Sequence, residues 1–206
     1  MTLIDWLDPR HIIEVGGVVL ILLIIFAESG LFFGFFLPGD SLLFTTGLLC
    51  GTSLLDFNVY LLVILAFGAS VLGYAVGYYT GFKLSESRIF REEQFLFRKS
   101  HMTKADYFFK KYGLSAFVIA RFIPLVRTYI PILAGATRMD YRLFTRYNLL
   151  GAALWVSVLI MIGYFLGKNY PQIIESLGWI VIGLILLTLL PFVQQLKHLR
   201  KDVVKP

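Results

Sequence analysis

Four charged residues lie within or beside apolar segments of the chain, and their types indicate anion chemistry. Glu28 and Asp40 interrupt the first half, whereas Arg121 and Arg127 interrupt the second half on either side of Pro124. Arginine presents a rigid fork of donors that matches phosphate and stays charged at any useful pH. A carboxylate in a low dielectric is destabilised unless it pairs with a cation. We therefore predict that Arg121 and Arg127 bind phosphate, and that Glu28 and Asp40 couple or gate binding through protonation.

A structural role for the same four charges stays open. Their formal charges sum to zero, which permits two buried ion pairs that only fix the packing. A charge at the bilayer centre costs about 2.5–3.5 kcal/mol on insertion scales. Desolvation offsets most of the attraction within a buried pair. Four such groups would therefore stabilise the fold only weakly, and we favour the functional interpretation.

The composition is that of a membrane protein. Of 206 residues, 58% are hydrophobic and 16% are charged, and the mean hydropathy is +0.77. Soluble domains average about 25% charged residues, so the composition excludes a disordered chain and argues against a soluble enzyme. The single Cys50 excludes an internal disulfide and a multi-cysteine metal site. The histidines His11, His101 and His198 lie outside the apolar runs, and we predict no catalytic residue, metal or cofactor.

Long uncharged runs predict the membrane spans. These runs are Val15–Ala27, Phe57–Phe82, Tyr147–Gly167 and Ser176–Leu196. A helix needs about 20 apolar residues to cross the hydrocarbon core, and the first run reaches that length only with its flanking residues. The sequence therefore predicts an all-α integral membrane protein with about four spanning helices.

Two further apolar stretches, residues 30–50 and 113–137, contain residues that break helices. Pro38 and Gly39 lie in the first stretch, and Pro124 and Pro131 lie in the second. Each stretch can form two half-length helices of about 12–18 Å, too short to span. We predict two re-entrant hairpins, with two kinked spanning helices as the alternative. Counting crossings does not separate the two, because both schemes place the basic loops on one side.

The two hairpins share an order of parts that resembles an inverted repeat. Phe36-Leu37-Pro38 precedes Asp40, and Phe122-Ile123-Pro124 precedes Arg127. Each hairpin is followed by a clean spanning helix, and the two hairpins are predicted to open on opposite sides of the membrane. An inverted-topology repeat places its binding site near the bilayer midplane, where discontinuous helices meet.

Small residues at four-residue spacing predict close helix packing. Ala69, Gly73, Gly77 and Gly81 repeat along one helix face, and a shorter pair recurs later in the chain at 163 and 167. Small residues at this spacing let helix backbones approach closely. We interpret the stripe as a static contact face in preference to a sliding one.

Charge distribution predicts the orientation of a single membrane domain, residues 1–206. Its first half is 12–82, its second half is 113–196, and residues 197–206 form a basic tail. Segment 83–112 contains an amphipathic helix that lies on the inner membrane surface or packs on the bundle. Basic residues concentrate in cytoplasmic loops. We therefore place both termini in the cytoplasm, expect no cleaved signal peptide, and attribute the net charge of +6 to topology rather than nucleic-acid binding.

Two motifs give the chain a recognisable resemblance. Phe35-Phe36-Leu37-Pro38-Gly39-Asp40-Ser41-Leu42-Leu43 and Ala120-Arg121-Phe122-Ile123-Pro124-Leu125-Val126-Arg127-Thr128 resemble the DedA family of the VTT-domain, SNARE-associated superfamily. The resemblance covers about residues 25–165 and extends to Asn148 and Trp155. It implies a multi-pass protein of the bacterial inner membrane with two opposed re-entrant loops. It also implies that the family's functional acids correspond to Glu28 and Asp40, and its functional arginines to Arg121 and Arg127.

One position departs from the family pattern. Many members carry an acidic residue after a glycine in the helix that follows the first hairpin, whereas here Gly73 is followed by Tyr74. The departure leaves open which subgroup of the family the chain resembles and how many protonatable groups take part in its function.

These observations lead to one preferred function and two rivals. The family is implicated in recycling undecaprenyl phosphate, so we predict a proton-coupled translocase for a polyprenyl phosphate, with protons as the coupling ion and a homo-oligomer left open. The alternative is a proton-coupled small-ion antiporter without a lipid substrate. A lipid phosphatase is disfavoured, because such enzymes need a histidine nucleophile or a metal cluster in addition to arginine.

Overall fold

The structure, a computed structural model, describes residues 9–32, 34, 37–86, 112–115, 117–119, 121–170, 172 and 183. Within these residues the chain forms five helices and no β-strand: α1 (Pro9–Gly30), α2 (Gly39–Leu49), α3 (Val59–Glu86), α4 (Pro124–Ala136) and α5 (Tyr141–Asn169). A further helical stretch within 112–121 precedes α4. The predicted all-α class is confirmed for the described residues.

Helices α3 and α5 are the two long apolar elements. They contain 28 and 29 residues and are long and apolar enough to cross a membrane. At 1.5 Å per residue each is about 42–44 Å long, which exceeds the roughly 30 Å hydrocarbon core. They correspond to the predicted spans that begin at Phe57 and Tyr147. The predicted span Ser176–Leu196, except Gly183, lies outside the described residues, as do residues 87–111 and the tail 197–206.

The first predicted span differs in the structure. Helix α1 is interrupted at Gly17, whose φ of 53° and ψ of −154° are not helical. Only glycine adopts such a positive φ without steric strain. The apolar part of α1 is the shorter helix Gly16–Gly30, about 22 Å long. The structure therefore does not confirm a separate spanning helix before residue 30.

Helix α1 runs parallel to α3 and forms the first arm of a chain reversal. The Phe26 carbonyl lies against Gly73, and the Gly30 carbonyl lies against Gly77 four residues further along. The Gly34 N–H then donates to the Leu31 carbonyl and the Leu37 N–H to the Gly34 carbonyl, and α2 leads back from Gly39. The prediction that both arms lie within residues 30–50 is therefore wrong. The arm before the turn is α1 itself, because no residue between Val18 and Ser29 breaks the helix.

A second reversal occurs at Phe122–Ile123. The stretch within 112–121 runs along α5, where the Phe117 ring centroid is 5.7 Å from that of Phe144 and 5.6 Å from that of Tyr147. Helix α4 then leads back toward the beginning of α5. It begins at Pro124, where the missing N–H of proline would have no helical partner anyway.

Pro131 does not break the chain, in contrast to the prediction. It lies inside the continuous helix α4. Its ring packs against Gly77, where an added Cβ would be 3.0 Å from the Pro131 Cγ. Glycine on the neighbouring helix thus makes room for the proline ring, and helices in membranes tolerate proline when neighbouring helices support them.

Each short helix of one half packs against the long helix of the other half. On α5, Gly163 and Gly167 contact the backbone carbonyls of Phe44 and Leu48 in α2. On α3, Gly81 contacts the backbone of Ile132 in α4. The predicted close approach at these glycines is confirmed. The same order of parts occurs in both halves, with α3 and α5 running in opposite directions, as an inverted repeat requires.

The outer faces of the long helices are apolar. Large side chains there are about half exposed or more, including Tyr60, Ile64 and Leu72 on α3 and Leu150, Leu154 and Phe165 on α5. Contiguous exposed apolar surface of this kind marks a membrane or protein contact. The polar side chains instead face inward, between the two apolar core clusters that contain Ile21 and Tyr74 respectively.

Candidate functional site

The four charged residues singled out in the sequence meet where the two chain reversals converge. Glu28 lies near the end of α1, Asp40 in the first turn of α2, and Arg127 in the first turn of α4. Arg121 precedes the second reversal. Their contacts reach Ser70 on α3 and Trp155, the middle residue of α5. The cluster is therefore near mid-length of both long helices.

Arg127 forms ion pairs with both acids. One terminal nitrogen, Nη2, donates to the Glu28 carboxylate, and the other, Nη1, donates to Asp40 Oδ1 at 2.7 Å. The Arg127 side chain is buried, and so is that of Glu28. One guanidinium group thus bridges carboxylates from two different helices and ties α1, α2 and α4 together.

The Asp40 carboxylate is held from a third direction. Trp155 Nε1 donates to the same oxygen, Asp40 Oδ1, at 2.8 Å. The indole ring also lies beneath the Arg127 guanidinium, with the Cζ atom 4.9 Å from the ring centroid. Trp155 therefore orients both members of the ion pair.

The Glu28 carboxylate lies against the N-terminal end of α2. An added Cβ at Gly39 would overlap the Glu28 side chain. Glycine at the first position of α2 is thus needed for the carboxylate to approach the helix end. A carboxylate is favourable there because the first turn of a helix carries unpaired N–H groups and a positive dipole end.

Arg121 has a different set of partners. Its Nη1 donates to Ser70 Oγ at 2.7 Å, and its Nη2 donates to Asn148 Oδ1 at 2.6 Å. Its guanidinium lies over the Tyr74 ring, with Cζ 3.8 Å from the centroid. Among the described residues Arg121 has no carboxylate partner. It is therefore a buried cation stabilised by neutral groups.

Two polar contacts fix the groups that hold Arg121. Asn148 Nδ2 donates to the Val71 carbonyl at 3.1 Å, which orients the amide so that its oxygen faces the arginine. Ser29 Oγ lies 3.5 Å from Ser70 Oγ and extends the network to α1. The network thus links both long helices to both reversals.

The cluster is closed in this conformation. Glu28, Arg121 and Arg127 are at most 1% exposed, whereas the Asp40 side chain is 15% exposed. Among the described residues, three donors inside it have no partner, namely Arg121 Nε, Arg127 Nε and the Tyr74 hydroxyl, and the acceptor Glu28 Oε2 has none either. Buried donors are normally paired. The arrangement therefore has unused capacity to bind an acceptor-rich group.

Sequence reasoning found the charged members of the cluster and missed most of the neutral ones. It named Glu28, Asp40, Arg121 and Arg127 as a set, and the structure brings all four together. Pro38, Gly39 and Pro124 lie at the reversals, as predicted. Ser70 carried no signal in the sequence, because a serine within an apolar helix is common. The resemblance to the family included Asn148 and Trp155 but assigned no role to either residue.

Among the residues that the structure describes, no three histidine, cysteine, aspartate or glutamate side chains are placed so that they could hold a metal ion. The roles predicted for the four charged residues stay predictions, because the geometry establishes contacts and not substrates.

Comparison with known proteins identifies relatives along most of the chain. The family model of the VTT domain matches residues 37–165. Protein DedA of Escherichia coli strain K12 is 38% identical over 182 residues, covering 88% of this chain and 83% of that protein.

Two other relatives are named as membrane proteins. An uncharacterized membrane protein of Mycobacterium tuberculosis strain H37Rv is 34% identical over 193 residues, covering 91% of this chain and 84% of the relative. Inner membrane protein YqjA of Escherichia coli strain K12 is 36% identical over 146 residues, covering 71% of this chain and 66% of the relative. No solved structure matches the chain.

Proposed function

The chain belongs to the DedA family of VTT-domain membrane proteins, and from this premise we propose that it translocates a lipid phosphate. The substrate is a polyprenyl phosphate such as undecaprenyl phosphate, and its headgroup crosses the bacterial inner membrane between the two chain reversals. The observation that carries the proposal is a pair of fully buried arginines at mid-length of the two long helices.

The depth of the cluster supports a pathway through the membrane. Along α3, Ser70 is about 16 Å from the first residue and Tyr74 is about 18 Å from the last, at 1.5 Å per residue. Helices α2 and α4 contain 11 and 13 residues, about 16 and 20 Å, and neither is long enough to cross. We therefore interpret α1–α2 and the 112–121 stretch with α4 as re-entrant hairpins whose turns lie near the midplane.

Exposed apolar residues beside the turns suit a lipid tail. Leu31 is 49% exposed at the first reversal, and Phe122 is 47% exposed at the second. At mid-depth these side chains would contact acyl or isoprenoid chains. The tail can then remain in lipid while the headgroup alone enters the polar cluster.

Charge balance supports proton coupling. Two arginines and two carboxylates make the cluster formally neutral, and an uncompensated charge at this depth is strongly unfavourable. Entry of a phosphate monoanion keeps the cluster neutral only if one carboxyl takes up a proton, and entry of a dianion requires two. Protonated Glu28 or Asp40 releases Arg127, which then binds the phosphate that replaces the carboxylate. Loss of the proton on the other side restores the ion pair and expels the headgroup.

Leaflet exchange in vesicles tests the function. We would reconstitute the protein with a polyprenyl monophosphate and follow hydrolysis by external alkaline phosphatase, which reaches only outer-leaflet headgroups. We expect complete hydrolysis with the wild-type protein and about half with empty vesicles. Arg127→Lys and Arg121→Lys keep the charge but lose the planar fork, and we expect both to slow exchange. Arg142→Lys, an exposed position on α5, is the matched control.

Two results would contradict the proposal. Leaflet exchange at the wild-type rate in both buried-arginine variants would show that the arginines take no part in translocation. Proton-coupled ion flux in vesicles without lipid phosphate, abolished by Glu28→Gln and unaccompanied by lipid exchange, would favour the antiporter.

A further inference from the structure

The Tyr74 side chain belongs to the charged cluster, yet its hydroxyl has no partner there. Tyr74 is 0% exposed. Its ring centroid lies 3.8 Å from the Arg121 guanidinium carbon, and its hydroxyl makes no hydrogen bond to the part of the chain that the structure describes. Burying a hydroxyl without a partner is unfavourable compared with burying the phenyl ring of phenylalanine. The hydroxyl therefore does not stabilise this conformation through a hydrogen bond to the described residues.

Two other donors in the cluster share this property. Arg121 Nε and Arg127 Nε are buried and have no hydrogen-bond partner within the described ranges. The groups are close to one another: Arg127 Nη1 lies 3.5 Å from the Arg121 carbonyl oxygen, and Tyr74 interacts electrostatically with both arginines and with Glu28. Two N–H donors and one O–H donor without partners thus belong to the same buried cluster.

We propose that the Tyr74 hydroxyl is a third headgroup ligand, which together with the two arginines selects phosphate monoesters over phosphodiesters. This inference rests on the proposed function and assigns a specificity residue to it. A phosphate monoester has three terminal acceptor oxygens, whereas a diester has two because the other two oxygens carry carbon. The additional terminal oxygen of the monoester is the acceptor that we assign to the Tyr74 hydroxyl. In a diester that oxygen carries carbon and is a weak acceptor, so the hydroxyl stays buried without a good partner, which disfavours diester binding.

The position of Tyr74 explains how it acts together with Arg121. The ring face holds the guanidinium plane by a cation–π contact, while Ser70 and Asn148 occupy its two terminal nitrogens. The Nε–H of Arg121 has no partner among the described residues and can donate to a ligand. The same tyrosine that fixes the arginine therefore supplies a hydroxyl to that ligand.

The Tyr74→Phe variant tests the proposal. We would measure binding of a short-chain isoprenyl monophosphate in detergent by calorimetry, and exchange of polyprenyl monophosphate and of fluorescent phosphatidylglycerol in vesicles. We expect about tenfold weaker monoester binding and slower monoester exchange, because a hydrogen bond to a charged group is lost. Phosphatidylglycerol exchange and the melting temperature should not fall. Tyr60→Phe, an exposed position on the same helix, should behave as wild type.

Three outcomes separate this inference from the proposed function. Unchanged monoester binding in Tyr74→Phe overturns the inference. A lower melting temperature together with an equal loss of leaflet exchange for both lipids also overturns it, because that pattern indicates a structural role. If no leaflet exchange is observed but Tyr74→Phe binds the monoester more weakly than the wild-type protein, and binds a short-chain phosphodiester equally well, the inference stands and only the translocase proposal fails.

Discussion

At the scale of single residues, the two buried arginines have different environments. Arg127 holds two carboxylates, whereas Arg121 holds a serine, an asparagine and a tyrosine ring. Removing one partner of a buried ion pair leaves an uncompensated charge. Arg127 is therefore the residue on which the stability of the closed cluster depends, and Arg121 is the cation more readily available to an incoming anion.

We expect Arg127→Met to lower the free energy of unfolding by about 3–5 kcal/mol, because Glu28 and Asp40 would be left unpaired in a buried site. Unfolding in mixed detergent micelles measures this difference. Adding Glu28→Gln and Asp40→Asn to Arg127→Met should recover part of the loss. Arg142→Met, at an exposed position, should change the free energy of unfolding little. An equal decrease in this variant would contradict the role of Arg127 in stabilising the buried cluster.

The charged members of the cluster were predictable from sequence because charge is rare in apolar segments. Glu28, Asp40, Arg121 and Arg127 stand out for that reason alone. Tyr74 was noticed only as a departure from a family pattern, and nothing in its sequence context predicted the contact with Arg121. That contact depends on how α3 packs against the second reversal, which no local pattern encodes.

At the scale of helices, the sequence predicted which elements are short but not every boundary between them. Pro38 immediately precedes α2, and Pro124 is the first residue of α4, a position where proline is favourable. Pro131 was predicted to break the chain and does not, because Gly77 on another helix accommodates its ring. Gly17 was not predicted to interrupt α1, because a glycine within an apolar run is also compatible with a helix.

The glycine contacts between short and long helices provide a test at this scale. Gly81→Ala and Gly163→Ala would place a Cβ against the backbone of Ile132 and Phe44. We expect each to destabilise the protein by about 1–3 kcal/mol, since helix backbones would have to separate. Thermal unfolding in detergent measures the effect.

Gly68→Ala is the matched control for the glycine variants. Gly68 lies on α3 with no atom within 4 Å of an added Cβ. The substitution should be neutral or stabilising by up to about 1 kcal/mol, because alanine favours a helix over glycine. If Gly68→Ala lowers the stability as much as Gly81→Ala does, the close backbone contacts are not the cause of the destabilisation.

At the scale of the whole molecule, the direction of α1 changes the expected path through the membrane. Because α1 runs parallel to α3, it enters the bundle from the end where α3 begins. The basic residue Lys83 lies near the opposite end, and positive charge marks the cytoplasmic side. We therefore expect residues near the start of α1 to lie outside, in contrast to the predicted cytoplasmic start of the first helix. The positions of the termini themselves stay predictions.

Cysteine labelling tests this path. In a Cys50→Ala background, single cysteines at Asp56, Glu86 and Arg10 would be exposed to an impermeant maleimide on intact spheroplasts. We expect labelling at positions 56 and 10, and labelling at position 86 only after permeabilisation. If positions 10 and 86 instead behave alike, α1 crosses the whole membrane and is not a hairpin arm.

The central claim is that the buried guanidinium pair receives a phosphate headgroup. A structure determined with a bound polyprenyl monophosphate tests it most directly. We predict phosphate oxygens about 3 Å from Arg121 and Arg127, with Glu28 or Asp40 displaced from Arg127. Phosphate bound only at the basic surface near Lys83 and Arg138, with the Arg127 ion pairs intact, would contradict the claim.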